Sequence, residues 1–285
     1  MKNKTFLIPT STAEHLTKKL KGVEIIFPEK NKEEKRYFPD GEIYIKIPKI
    51  KKIKNKKVVV LHSGAPDPNK GLVELELILQ VLSDNKIKPE IFFSYFPYGM
   101  QDKIFEKGET NAAENLIKKM VNYYKVKKIY IIDPHFEGKS WVKKYPIIRL
   151  SAVPYLIKKV WQDFEENILF FSPDKGGKRR TGFVAMKKRR FNSFKVEMYF
   201  PKTNLKRKTV GVVDDILETG GTLLRFYDCV KKLGAKKIVA LITHGVLPSG
   251  ISKIKKKYSK LYLTNTIKRK EANVDITNLI LKALN

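Results

Sequence analysis

Cysteine is almost missing from this chain: Cys229 stands alone among 285 residues. No disulfide can close within the chain, and no zinc site can be built on thiolates. The four histidines show no His-Glu-x-x-His or comparable metal-binding spacing. No apolar run approaches the roughly 18 residues that cross a bilayer, and Pro9 breaks the amino-terminal segment too early for a secretion signal. A soluble, cytoplasmic protein with no membrane partner is therefore expected. Acidic residues are also scarce, with 29 Asp and Glu against 59 Lys and Arg and a net charge of +30. Such a balance raises a nucleic-acid function. However, the lysines run through every segment (49–57, 187–190, 206–208 and 253–257) instead of forming one tail or stripe. Specific nucleic-acid binding is not expected. Loose adhesion to polyanions, and attraction of a highly anionic substrate, are.

The hydrophobic content of 42% is enough for sizeable cores. Apolar strand patterns alternate with helical ones along nearly the whole chain, which predicts an α/β protein with mostly parallel sheets. Strands are predicted at 6–8, 23–27, 43–47, 58–62, 90–96 and 128–133, then at 168–172, 209–213, 237–243 and 261–263. Helices are predicted at 12–20, 71–84, 111–123, 153–164, 219–233, 249–257 and 276–284. Tyr145-Pro146 interrupts the pattern, so two α/β domains are expected, 1–146 and 147–285.

The most informative stretch is 210–222, Val-Gly-Val-Val-Asp-Asp-Ile-Leu-Glu-Thr-Gly-Gly-Thr. A β-branched run interrupted only by Gly211 predicts a strand covered on both faces. Asp214 and Asp215 then emerge at its carboxyl end, where open α/β sheets bind ligands. Glu218, Thr219, Gly220, Gly221 and Thr222 form a turn whose backbone N–H groups and hydroxyls can close on a phosphate at the positive end of a helix. Carboxylates beside a phosphate cradle call for sugar hydroxyls or a divalent cation, so a sugar phosphate is the expected ligand. No Gly-Lys-Ser/Thr follows, which excludes a Walker loop.

Other strand ends carry polar clusters. Asp174-Lys175-Gly176-Gly177 follows the strand at 168–172 and reads as a second anion loop, with Asp174 able to hold a metal. His135 ends the strand at 128–133, where a cation ligand and a structural histidine are equally good readings. Gln101 and Asp102 lie in a loop after the strand at 90–96. Phe38, Asp40 and Glu42 flank an Asp-Gly turn. Lys187 to Arg190 is either a solvated face or a set of cations for a polyphosphate.

Taken in order, these motifs resemble those of ribose-phosphate diphosphokinases (phosphoribosyl pyrophosphate synthetases), particularly archaeal-type members. The resemblance runs from about residue 36 to residue 266. It implies two phosphoribosyltransferase-like, Rossmann-like domains, ATP and ribose 5-phosphate as substrates, Mg²⁺ as cofactor, and a homodimer or higher homo-oligomer sharing its active sites. It implies that residues 218–222 grip the 5-phosphate while Asp214 and Asp215 hold the ribose hydroxyls. The loop Asp174, Lys175, Gly176 and Gly177 would hold the pyrophosphate region, and His135 with Asp174 a metal. Phe38, Asp40 and Glu42 would form an adenine pocket lent by a partner subunit, Gln101 and Asp102 the ATP loop, and Lys187 and Arg189 the cations of a catalytic flap. Three features depart from the pattern, one of them Lys175, which adds charge beside the pyrophosphate loop. The family's Tyr-Ala-Arg-Gln-Asp-Arg reads Tyr98-Gly-Met-Gln-Asp-Lys103, so Met100 replaces an arginine. Residues 173–186 are too few for the usual helix, so the second domain is expected to lack a crossover helix. A non-catalytic regulatory relative is the alternative these departures leave.

Overall fold

The computed structural model describes residues 4–165, 167–185, 187–190, 196–199 and 204–284, with the side chains of Lys175, 187–190 and 196–199 outside the description. Contacts group the chain into two units. One comprises Met1–Leu150, Thr266–Lys268 and Thr277–Asn285; the other comprises Ser151–Asn265 and Arg269–Ile276.

The first unit is built on a six-stranded parallel sheet. Its strands are β1 (Thr5–Pro9), β2 (Glu24–Ile25), β3 (Lys57–Ser63), β4 (Glu90–Tyr95), β5 (Ile129–Ile132) and β6 (Ile147–Leu150). They lie side by side in the order β2-β1-β3-β4-β5-β6, so the winding reverses between β1 and β3. The apolar runs of β1, β3, β4 and β5 are buried along nearly their whole length, as parallel strands covered on both faces must be. Helices α1 (Ile50–Ile53), α2 (Pro68–Asp84) and α3 (Ala112–Asn122) separate them. On α2 the buried positions are Gly71, Glu74, Leu75, Ile78, Leu79 and Leu82, a stripe at helical period. Asp67 caps α2 by accepting from Lys70 N, and Asn111 caps α3 by accepting from Glu114 N. Both occupy the terminal position where a side-chain oxygen replaces the missing intrahelical acceptor.

Two expectations fail in this unit. The segment predicted as a strand at 43–47 makes only an antiparallel bridge, Tyr37↔Ile43. Its apolar alternation serves a hairpin, closed by Phe38 N donating to Glu42 O (2.8 Å) and turned at Gly41, whose φ is +92°. The helix predicted at 12–20 is a single 3-10 stretch, Glu14–Lys19. The pattern gave no warning of β6, which pairs with β5 through Ile129↔Ile147 to Ile132↔Leu150. Two of its four residues are exposed, so it lacks the buried run that marked the others.

In the second unit, helix α4 (Val153–Asp163) precedes strand β7 (Ile168–Phe171), helix α5 (Lys175–Thr181) and an antiparallel pair, β8 (Lys187–Arg190) with β9 (Val196–Tyr199). Strand β10 (Thr209–Leu217), helix α6 (Gly221–Lys232), strand β11 (Lys237–Gly245), helix α7 (Pro248–Lys257) and strand β12 (Lys260–Leu263) follow. Helix α8 (Thr277–Leu284) ends the chain in the first unit. The four parallel strands lie in the order β12-β11-β10-β7. Strand period divides their side chains between two cores. Val210, Val212, Ile238, Ala240 and Ile242 pack with α6 and α7, while Val213, Val239, Leu241 and Tyr262 pack with α4.

The expected loss of the crossover helix is corrected here. Residues 173–186 do carry a helix, α5, but only seven residues of it. Asp174 opens it by accepting from Gly177 N at 2.9 Å, and Gly182 closes it at φ +79°. The returning strand shrinks to one parallel bridge, Ser172↔Ala185, with Ser172 N donating to Val184 O. Two helical turns and one bridge are enough to complete the crossover in this short segment. Gly176 and Gly177 are thus in the first turn of a helix and not in an open loop.

Gly211 in β10 has a packing reason. A Cβ there would lie 2.6 Å from the Phe170 ring. Gly211→Ala should destabilise the protein by about 1–3 kcal/mol through overpacking, with recovery in the Gly211→Ala/Phe170→Leu pair, as measured by urea unfolding.

Candidate functional site

The described geometry of the second unit converges on the end of β10. Strand β10 does not stop at Val213 as predicted. It runs to Leu217, paired with β11 as far as Leu217↔Gly245. Its pairing with β7 ends earlier, at Val212↔Phe171. Asp214 and Asp215 therefore lie inside the strand, beyond the reach of β7, and both are buried at 7% and 2% exposure. They sit deeper than the sequence suggests because β11 continues alongside them.

Two adjacent buried carboxylates repel each other and lose hydration. Burial first, and then the charge of Asp215, push the Asp214 carboxyl well above the usual range. Arg180 of α5 counters this. Its Nη2 lies 3.7 Å from Asp214 Oδ1 and its Nε 2.7 Å from Asp215 Oδ1. The second is an ion-pair contact whose N–H direction falls outside hydrogen-bond geometry. Sequence reasoning missed Arg180, because one cation in a lysine-rich chain carries no signal of its own.

After β10, Glu218 and Thr219 turn the chain, and Gly220 starts α6 with φ +81°, a left-handed conformation that favours glycine. No side chain caps α6, in contrast to α2, α3 and α5. Leu224 N already donates to Gly220 O at 2.9 Å. The N–H groups of Gly221, Thr222 and Leu223 precede that first intrahelical bond and point outward at the positive end of the helix. Such a terminus suits an anion.

One face of α7 supports this turn. A Cβ on Gly250 would lie 1.7 Å from the Glu218 carbonyl oxygen, and the Ile254 side chain lies 3.4 Å from where a Cβ on Gly220 would be. Tyr258 donates to Leu223 O at 2.6 Å. Residues 250, 254 and 258 recur every fourth position, so they form one helical row under the loop. Arg269 fixes the next turn by donating from Nε to Gly245 O at 3.0 Å and from Nη2 to Val246 O. Gly250 and Arg269 were also missed. The i, i+4, i+8 row in 250–258 was the legible trace of the first.

Six predicted residues, Phe38, Asp40, Glu42, Gln101, Asp102 and His135, belong to the first unit. Phe38, Asp40 and Glu42 are exposed on the hairpin, where Glu42 N donates to Asp40 Oδ1 at 3.0 Å. Gln101 is exposed, but Asp102 is buried and pairs with Lys139 at 3.1 Å. Met100 is 45% exposed. Lys103, which could have replaced the missing arginine, holds its Nζ 3.9 Å from the Phe105 ring centroid. His135 is half-buried after β5, in the first unit, while Asp174 belongs to the second. Among the described residues, no group of three or more His, Cys, Asp or Glu side chains could hold a metal ion. Lys187 and Arg189 lie on β8, and their side chains, like that of Lys175, are outside the described ones.

Two family models match. Residues 9–123 match the N-terminal domain of ribose phosphate pyrophosphokinase, and residues 178–277 match the phosphoribosyl transferase domain. The ribose-phosphate pyrophosphokinase of Pyrococcus furiosus is 30% identical over 98% of this chain and 100% of its own. That of Thermococcus kodakarensis is 30% identical over 86% and 89%. The chain belongs to the ribose-phosphate pyrophosphokinase family. It is therefore an enzyme, and its two parallel-sheet units are phosphoribosyltransferase-like. The fold is also that of a phosphoribosylpyrophosphate synthetase from Mycobacterium smegmatis, with a TM-score of 0.82 over 99% of this chain and 97% of that one, at 20% identity. Among the described residues, no helix is long and apolar enough to cross a membrane.

Two glycines separate support from ligand approach. A Cβ on Gly221 would meet nothing nearer than 3.8 Å. Gly221→Ala should keep or slightly raise the melting temperature, because alanine favours a helix by roughly 0.5–1 kcal/mol, yet weaken binding of inorganic phosphate. Gly250→Ala should lower both, since backbone must move. Calorimetric melting with phosphate titration reads both effects. The raised Asp214 carboxyl predicts a pH effect. Ionising it costs more folded than unfolded, so the cost is absent below the ordinary Asp range and full above the raised value. Asp214→Asn should therefore stabilise the unliganded protein near pH 7, with the gain fading as pH falls towards 4.

Proposed function

We propose that the chain transfers the pyrophosphoryl group of ATP to the anomeric hydroxyl of ribose 5-phosphate, giving phosphoribosyl pyrophosphate and AMP. The observation that carries this reading is the uncapped start of α6 set beside the buried Asp214–Asp215 pair, in a chain of this family. The backbone of 218–222 would bind the 5-phosphate, and the two carboxylates would accept from the ribose hydroxyls. The anomeric oxygen then attacks the β-phosphorus, the bond from that phosphorus to the bridging oxygen of AMP breaks, and the hydroxyl proton is released. Little covalent help is needed, because alignment and charge stabilisation supply most of the acceleration in such transfers.

On this reading Phe38, Asp40 and Glu42 of a second copy would receive the adenine, and Gln101 and Asp102 would border the ATP phosphates. Asp174, Lys175, Gly176 and Gly177 would face the pyrophosphate, with Lys187 and Arg189 as the neutralising cations. His135 and Asp174 are two ligands at most. An Mg²⁺ would therefore keep its waters and be carried largely by substrate phosphates, as this ion commonly is. When bound, the ion would neutralise charge on the phosphoryl oxygens.

The exposed Met100 favours one other reading, a relative that binds nucleotide without turning it over, since a thioether cannot donate to a phosphate. The assay is AMP release from ATP with ribose 5-phosphate and Mg²⁺. Sugar-dependent AMP at an ordinary turnover rate supports catalysis and eliminates the regulatory reading. Its absence with nucleotide binding intact eliminates catalysis and leaves the regulatory reading standing. Asp215→Ala should abolish turnover. Met100→Arg should raise ATP affinity about ten- to a hundredfold, the worth of one charged hydrogen bond.

A further inference from the structure

We infer that Arg180 is a positioning residue of the sugar-phosphate site: its guanidinium holds Asp214 and Asp215 as an aligned pair for the ligand's hydroxyls, and Gly176 is glycine so that this guanidinium can reach them. The inference rests on the reading of the site as one for ribose 5-phosphate.

Three observations carry it. First, α5 bears three consecutive cations, and only the third turns inward. Lys178 and Arg179 are exposed, whereas the Arg180 side chain is 10% exposed. Desolvating a guanidinium is costly unless a charge meets it, and here one group spans both carboxylates. Lysine, a point charge on a flexible stem, would reach them without the planar fork. Second, a Cβ on Gly176 would lie 2.8 Å from Arg180 Nη1 and 3.2 Å from Asp174 Oδ1. The absent side chain is the space through which the arginine passes. Gly176 has no positive φ, so conformational freedom is not the reason for glycine here. Third, β7 stops pairing with β10 at Val212, and α5 approaches the bare edge beyond. The short helix thereby places a cation where a longer neighbouring strand would have closed the sheet.

The role is positional, because Arg180 acts through the carboxylates and the 5-phosphate is left to the α6 turn. The effect should therefore be selective for the sugar. Titration calorimetry with ribose 5-phosphate and, separately, inorganic phosphate makes the comparison. Wild type should prefer ribose 5-phosphate. Arg180→Gln should lose about tenfold or more of sugar-phosphate affinity, the scale of charge-assisted hydrogen bonds, and change phosphate affinity less than threefold. Arg180→Lys should fall between. In turnover, the KM for ribose 5-phosphate should rise while the KM for ATP and kcat hold. Gly176→Ala should also weaken ribose 5-phosphate binding with its arginine still present, and the double variant should bind ribose 5-phosphate no worse than Arg180→Gln. Equal losses for both ligands, or a matching rise in the ATP KM, would mark a merely structural residue and overturn the inference. So would an unchanged sugar affinity. If wild type shows no preference for ribose 5-phosphate over phosphate, the inference falls together with the site reading. If the preference exists and Arg180→Gln removes it while no AMP is formed, the inference stands and the diphosphokinase reading falls.

Discussion

Two adjacent aspartates buried at the end of a central strand are a constraint that a fold must answer. Side by side in β10, Asp214 and Asp215 have lost most of their water, and each raises the cost of the other's charge. The second unit answers from three directions. Strand β11 runs on past them, α5 brings in Arg180, and Asp215 N donates to Asp214 Oδ1 at 3.1 Å. Keeping the pair buried costs unliganded stability, because Asp214 is harder to ionise folded than unfolded. The rest of the unit makes sense as support for that arrangement.

The short crossover illustrates this. Losing the whole helix would leave the aspartates without a counter-charge. Seven residues, capped by Asp174 and stopped at Gly182, keep Arg180 in place. The same economy appears in the α6 turn. Its N–H groups lack a side-chain cap, so its shape depends on neighbours: Gly250 beneath Glu218, Ile254 beneath Gly220 and the Tyr258 hydroxyl on Leu223 O. A loop held from below by one row of a helix leaves its upper side open to an anion.

The basic character of the chain looks different beside this site. With a net charge of +30, the whole molecule attracts polyanions. Individual cations then matter by position. Arg180 is committed to the aspartates, Lys139 to Asp102, and Lys103 to the Phe105 ring. Met100 leaves the loop after β4 with a thioether, which cannot donate to an anion, where the resemblance would put an arginine.

Much of the fold was legible in the sequence because burial on both faces leaves a mark on composition. The runs of β1, β3, β4, β5, β10 and β11 are apolar at nearly every position, and the stripe on α2 repeats at helical period. The Asp-Asp and Thr-Gly-Gly-Thr pattern also marked the passage from strand to turn to helix, since glycine and hydroxyl residues cluster where a helix opens. Strand β6 escaped because a half-exposed strand leaves no such mark, and the strand expected at 43–47 is one arm of the hairpin around the Asp40-Gly41 turn. Arg180, Gly250 and Arg269 escaped for a different reason. Their roles arise from contacts with Asp215, Glu218 and Gly245, which lie 35, 32 and 24 positions away along the chain. Sequence by itself determined the local chemistry on offer, two carboxylates late in a strand and a glycine-rich turn opening a helix, because that depends on residue types and short-range spacing. Only the tertiary structure decided which cation meets the buried carboxylates and what holds the α6 turn, because those depend on which distant segments are brought within a few ångströms of each other.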